Sequence, residues 1–393
     1  MSGGPICIES GLVPEEEYKE REKKLRKGME ERNLDLLLIY GDEYRYGDSV
    51  YIANFKGLNI VEEAPYCVFF PLDENEKSVF FTGRFNMQPA REHARIKDVR
   101  SIWDIDQHLK DLAGGKNYRR VGYTGEDILP QSIYERVRKG LPGATLEPAS
   151  EIMMNLRLRK SDVEVKLMRK AGELGDLGLK AAEEALEPGK ITEWEVIAIA
   201  ENAMRMNGGD NPWANMVGCG EELLDRVYLA NDKLVKEGEL TAIDIHPNYR
   251  FYCNDTARGW AVGKLPKEQE EALKATGRVM KDLIAYAKPG ITYKDLWNRV
   301  RDLMKEAGYG EYWVPYAEET RGHAIGHGIG LDMVEWPRRY PRDWDIVLEP
   351  NMTFAMKSEL HGFKWGGLRQ ETVILITKDG AEPLNKHHYH LVD

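Results

Sequence analysis

One short phrase occurs twice in the second half of this chain, and it limits the fold more than any other feature. Leu186-Glu187-Pro188-Gly189-Lys190-Ile191-Thr192 is followed by a helical pattern to about Met206, and Ala287-Lys288-Pro289-Gly290-Ile291-Thr292 by one to about Ala307. Each phrase comes after a long helical stretch, roughly 162 to 185 and then roughly 266 to 286. In each, Pro-Gly ends the first helix and Thr caps the next. Each helix pair then leads into a β-rich stretch with acidic residues. Two copies of one helix–turn–helix–strand order imply a duplicated half. The first half of the chain reads differently. Charged, helical 15–31 leads into the apolar run Asp35–Gly41, a buried strand, and 65–71, 77–82 and 121–123 read as further strands. Strands alternating with helices predict an α/β domain. Ser161, with Glu164 three residues on, forms a capping box at the boundary. The predicted domains are therefore 1–157 and 158–393.

The net charge of −11 excludes a nucleic-acid footprint. No apolar run reaches the ~18 residues of a membrane span. Cys7, Cys67, Cys219 and Cys253 lie far apart with no CxxC pair, which fits a reducing, cytoplasmic setting. The N-terminus shows no secretory signal pattern.

Candidate chemistry is concentrated late in the chain. Asp244 ends an apolar strand, and Asp255 follows the turn signal Pro247-Asn248-Tyr249, so two strands would bring the carboxylates together. His323-Ala324-Ile325-Gly326-His327-Gly328-Ile329-Gly330 is too glycine-rich for a helix and predicts close-packed backbone around a ligand. Gly366-Gly367-Leu368-Arg369-Gln370-Glu371 adds a third carboxylate. Carboxylates and imidazole suit Mn, Fe, Co or Zn. The order and spacing of these motifs resemble the creatinase/prolidase/aminopeptidase P family, the pita-bread proteins. The resemblance implies a creatinase-like α/β N-terminal domain and an α+β pita-bread catalytic domain with pseudo-twofold duplication. It also implies metal ligands at Asp244, Asp255, His327 and Glu371, catalytic roles for His323, His327 and Glu371, and a homodimer; Lys357, which departs from the family pattern, is a further catalytic candidate, to stabilise developing negative charge. In that dimer the loops Phe55-Lys56-Gly57 and Arg84-Phe85-Asn86 are candidates to line the partner's pocket.

Three positions depart from the family pattern. Lys357 stands where the family has a glutamate, and an ammonium has no lone pair for a metal. Three carboxylates and one ammonium leave a formal −2, which predicts at most one divalent ion, or none. Peptidase members carry histidines where this chain has Val334 and the Val227-Tyr228 region. These losses predict a hydrolase of a C–N bond in a small polar or zwitterionic molecule, of creatinase or ectoine-hydrolase type, and not an ordinary Xaa-Pro peptidase. The alternatives are a lyase of the dimethylsulfoniopropionate type, an aminopeptidase P/prolidase-like metallopeptidase and a silent binding protein. Arg258 and Arg321 are candidate clamps for a substrate carboxylate, beside Arg338 and Arg339. Trp336 and Trp365 are candidate substrate contacts. With Trp213, Trp260, Trp313 and Trp344 they would box a cationic molecule. Expected partners are a small-molecule substrate and a second copy of the chain, without nucleic acid or membrane.

Overall fold

In the computed structural model the described residues are 7–9, 11–58, 65–114, 116, 118–210, 214–224, 229–313, 325–338 and 342–392. The chain divides into two compact units, Met1–Arg157 and Leu158–Asp393.

The first unit runs α1 (Glu15–Glu31), β1 (Leu36–Gly41), α2 (Gly47–Ala53), β2 (Tyr66–Pro71), β3 (Val79–Thr82), α3 (Arg84–His93), β4 (Val99–Ser101), α4 (Ile105–Leu112), β5 (Arg120–Tyr123), α5 (Gln131–Gly140), β6 (Thr145–Pro148) and α6 (Ser150–Leu158). Its six strands form one sheet in the order β4-β3-β2-β1-β5-β6. β1 pairs parallel with β5 and antiparallel with β2. Every residue of β1 is buried, which is why it reads as an unbroken apolar run rather than an alternating one.

The second unit runs α7 (Asp162–Ala185), α8 (Glu193–Met206), β7 (Met216–Cys219), β8 (Leu240–Ile245), β9 (Asn248–Tyr249), β10 (Tyr252–Cys253), β11 (Thr256–Ala261), α9 (Lys267–Tyr286), α10 (Tyr293–Glu306), β12 (Gly326–Gly328), β13 (Thr353–Phe363), β14 (Gly366–Ile376) and β15 (Ala381–Pro383). Its main sheet follows β12-β13-β14-β11-β8-β7, with β15 alongside β14. α7 opens on a capping box in which Ser161 Oγ accepts from Glu164 N.

The duplication is visible atom by atom. Thr192 and Thr292 each cap their helix through a full capping box, with Glu195 and Asp295 as the reciprocal partners. Gly189 and Gly290, both at positive φ, donate to the carbonyls of Val235 and Leu348. Those residues return the bond to Ile191 and Ile291. This is the pita-bread fold with its internal pseudo-twofold.

Strand alternation separates the two faces of the sheet. Phe354, Met356, Leu360 and Ile374 enter the core under α9 and α10. Ile243 and Ile245 enter the core under α7 and α8. The intervening residues, Asp244, Lys357, Glu359 and Glu371, therefore share the opposite face.

Candidate metal centre

The candidate site is a row of side chains crossing four strands. Lys357 on β13 is the direct partner of Glu371 on β14. Glu371 pairs with Ala257 on β11, and Ala257 with Asp244 on β8. The small Ala257 thus leaves space between two carboxylates. Asp255, two residues before Ala257, falls on the same face. His327 pairs with Ala355, two residues from Lys357, and so joins them. Gly326 makes that approach possible: it sits at φ 108°, and a Cβ there would lie 1.6 Å from the Ala355 carbonyl oxygen. β8 and β11 are linked through the β9–β10 hairpin, whose tip residues Arg250 and Phe251 both take positive φ, the backbone of a tight hairpin turn.

His327 Nε2 lies 3.3 Å from Asp255 Oδ2. Its Nδ1 lies 2.9 Å from the Gly328 carbonyl. That carbonyl can only accept, so the neutral ring carries its proton on Nδ1 and turns a lone pair toward the carboxylate. A cation between the two resolves this clash. Sequence reasoning missed His246, whose Nε2 is 3.5 Å from Asp244 Oδ1 and 3.5 Å from Asp255 Oδ1. The signal was the Asp244-x-His246 spacing, which sets His246 just past the end of β8 on the side that Asp244 faces. Two donor trios result, Asp244–His246–Asp255 and Asp255–His327–Glu371, each with its ligand atoms within 4.8 Å of one another. Asp244 Oδ1, Asp255 Oδ1 and Glu371 Oε1 are buried without a hydrogen-bond donor among the described residues. These carboxylates and imidazoles fit a hard or borderline divalent ion.

Lys357 Nζ is 3.1 Å from Glu371 Oε2, and both side chains are buried. Further along the same face, Arg369 joins Asp244 to Glu359, with Nε 2.5 Å from Glu359 Oε1. Glu359 is entirely buried. Sequence reasoning missed it as well, although it follows Lys357 by two residues on one strand. Glu359 and Arg369 add one charge of each sign, so the cluster keeps its formal −2.

Burial raises Asp244 and, helped by Asp255, raises Glu371 well above the carboxylate range. Burial also opposes the charge on Asp255, but neighbouring positive charge, from His246 first and then Lys357, holds it well below. On Lys357 burial is outweighed by Glu371, with Asp255 and Glu359 adding to it against Arg369, so the ammonium stays protonated. A proton held by the cation-free cluster therefore resides on Glu371 rather than Asp255.

Other expectations need correction. Arg258 is not a substrate clamp. It follows Ala257, so alternation turns it to the opposite face, where it is 1% exposed. Its guanidinium donates to the carbonyls of Ala257, Glu371, His387 and His388. Trp260 and Trp313 are fully buried core residues and form no box. Trp344 lies under Lys294 Nζ at 4.8 Å. Trp365 stacks on Phe363 at 4.4 Å. Trp336 donates to Asp343 Oδ1 at 2.9 Å. Its backbone packs on Gly328, next to His327, where a Cβ would meet the Trp336 oxygen at 2.4 Å. His323, Arg321, Trp213, Arg339 and the Val227-Tyr228 region lie outside the described residues.

Residues 166–378 match the Metallopeptidase family M24, and residues 21–159 match the Creatinase/Prolidase N-terminal domain. The chain belongs to the M24 metallopeptidase family. It is an enzyme of the hydrolase class. A Xaa-Pro dipeptidase of Pyrococcus horikoshii is 30% identical over 374 residues, 95% of this chain and 99% of that protein. The crystal structure of the prolidase from Pyrococcus horikoshii superposes with a TM-score of 0.80 at 29% identity, covering 93% of this chain and 98% of that one. A Xaa-Pro dipeptidase from Bacillus anthracis gives a TM-score of 0.80 at 25% identity, covering 96% and 100%. These end-to-end relatives overturn the expectation of a creatinase- or ectoine-hydrolase-type enzyme that is not a peptidase. That expectation weighed three side chains against a whole chain. It also missed His246, which brings an imidazole back to the carboxylates.

Proposed function

We propose that this chain is a metal-dependent dipeptidase for Xaa-Pro substrates, with a centre built for one tightly held divalent ion. One observation carries this reading: the face that holds Asp244, Asp255, His327 and Glu371 lies within a chain similar from end to end to Xaa-Pro dipeptidases. Asp244, His246, Asp255 and His327 would hold the ion, with Glu371 beside them. Mn, Fe, Co and Zn suit that donor set. A bound divalent ion polarises a carbonyl and lowers the pKa of water. Glu371, raised by burial, is suited to take up and return the proton of the attacking water. The Lys357 ammonium supplies fixed positive charge where a second ion would otherwise sit, and steadies negative charge developing on the substrate carbonyl.

The substrate would be a small peptide, and the free cysteines suit a reducing cytoplasm. A homodimer is part of the proposal. Arg84-Phe85-Asn86, expected as a loop, forms the first turn of α3; Leu58 N donates to Asn86 Oδ1 and Asn86 Nδ2 to the Leu58 carbonyl, tying the end of the 55–57 segment to that turn beside the exposed Phe85. Light scattering showing a monomer at micromolar concentration, with activity intact, refutes the dimer.

The decisive assay is proline release from Xaa-Pro dipeptides with Mn, Co or Zn added, using His327→Ala as the inactive control. Turnover abolished in that variant supports the reading. No turnover by a folded, metal-loaded chain removes it.

A further inference from the structure

The geometry points to a second divalent-cation site, remote from the first, in which Glu183, His387, His388 and His390 bind a borderline transition ion such as Zn2+. Glu183 Oε2 lies 3.0 Å from His387 Nε2. Glu183 Oε1 lies 3.2 Å from His388 Nε2 and 3.4 Å from His390 Nδ1. With metal–ligand distances of about 2.0–2.1 Å, the edge of a coordination tetrahedron is about 3.3–3.4 Å. The Glu183–His388 and Glu183–His390 separations lie near that edge and the Glu183–His387 one is somewhat shorter, and the ligand atoms of Glu183, His387 and His388 all lie within 4.8 Å of one another, with His390 approaching the same carboxylate. Three imidazoles and one carboxylate form a donor set that selects Zn2+, Co2+ or Ni2+ over Mg2+ or Ca2+.

Two further features mark a built site. First, the histidines are held from behind. Asp176 accepts from the backbone N–H groups of Lys386 and His387 at 2.7–2.9 Å. Arg258 donates to the carbonyls of His387 and His388. The His387 ring meets Trp260 edge-on at 6.0 Å, and its side chain is only 9% exposed. Such outer support orients metal-binding imidazoles. Second, Glu183 lies in the last turn of α7. The carbonyl end of a helix disfavours a carboxylate and favours a cation, so an ion bridging Glu183 to the histidines relieves that repulsion. His388 is 58% exposed and gives an ion access from solvent.

The test is calorimetric titration of the chelator-stripped full chain with Zn2+, comparing wild type, His388→Ala/His390→Ala and Glu183→Gln. Wild type should bind one more ion per chain than either variant, or bind it about tenfold more tightly or better. Co2+ should give the visible bands of a four-coordinate ion in wild type and lose that component in the variants. Equal Zn2+ stoichiometry and affinity in wild type and both variants overturns the site. Should Glu183→Gln lose its circular dichroism signature, the exposed His388→Ala single variant decides by the same criterion. None of these residues belongs to the Asp244–Glu371 centre, so the outcome is independent of peptidase activity.

Discussion

Lys357 and Glu371 face each other as direct cross-strand partners, with the ammonium 3.1 Å from a carboxylate that is wholly buried. The ammonium brings one positive charge to a face of buried carboxylates. On the proposed one-ion reading it stands in for a second cation, so substitutions at this position test both metal stoichiometry and local stability. Lys357→Glu should add one divalent ion per chain over wild type loaded in the same way, as counted by elemental analysis. Lys357→Met should leave Glu371 without its cationic neighbour and lower stability in chelator by about 3–5 kcal/mol in denaturant titration. Unchanged ion content in the first variant and unchanged stability in the second would place Lys357 outside the centre.

His246 lies 3.5 Å from a carboxylate oxygen of each aspartate and is a candidate ligand outside the motifs read from the sequence. His246→Ala should weaken metal binding on the order of 10–100-fold, read by competition with a chelating dye. The far-ultraviolet circular dichroism should stay as in wild type, because the side chain lies beyond the end of β8. Wild-type affinity in the variant would leave the ion to Asp255, His327 and Glu371.

Gly326 has no room for a side chain against the Ala355 carbonyl and sits in a backbone region that disfavours one. Gly326→Ala should detach β12 from β13 and move His327 away from Asp255. We expect loss of metal binding alongside a fall in thermal midpoint. A variant that keeps both would show that His327 is held by other contacts.

The second capping box gives a pH signature. Asp295 Oδ2 accepts from Thr292 N and from Thr292 Oγ1, both at 2.7 Å. These bonds hold its carboxyl below the ordinary range. Its stabilising contribution is complete above the unfolded value of about 3.9 and is lost as pH falls through the depressed folded value. Asp295→Asn should flatten that part of the acid unfolding curve. Thr292→Ala should cost about 1 kcal/mol at neutral pH, measured by chemical denaturation, and Thr192→Ala a similar amount.

What the sequence determined by itself was local or periodic. The two Pro-Gly-x-Thr phrases specify turns and capping boxes through backbone geometry and side chains three residues apart. Those features survive in any fold that contains them. Apolar runs such as Leu36–Gly41 declare buried strands. Asp244, Asp255, His327, Glu371 and Lys357 stood out because each lies in a short motif. What only the tertiary structure decided was register. Strand pairing brings Lys357 opposite Glu371 and sets Ala257 beside Asp244, and the Ala257–Glu371 pairing joins those two hairpin-like pairs across more than a hundred residues of chain. Register also sends Arg258 to the far face, away from substrate, because neighbours on a strand point in opposite directions. His246, Glu359 and the histidine cluster at Glu183 lie in no motif. Their partners are fixed by tertiary contacts: His246 reaches Asp255, Glu359 meets Arg369 across two strands, and Glu183 on α7 meets His387 about two hundred residues later.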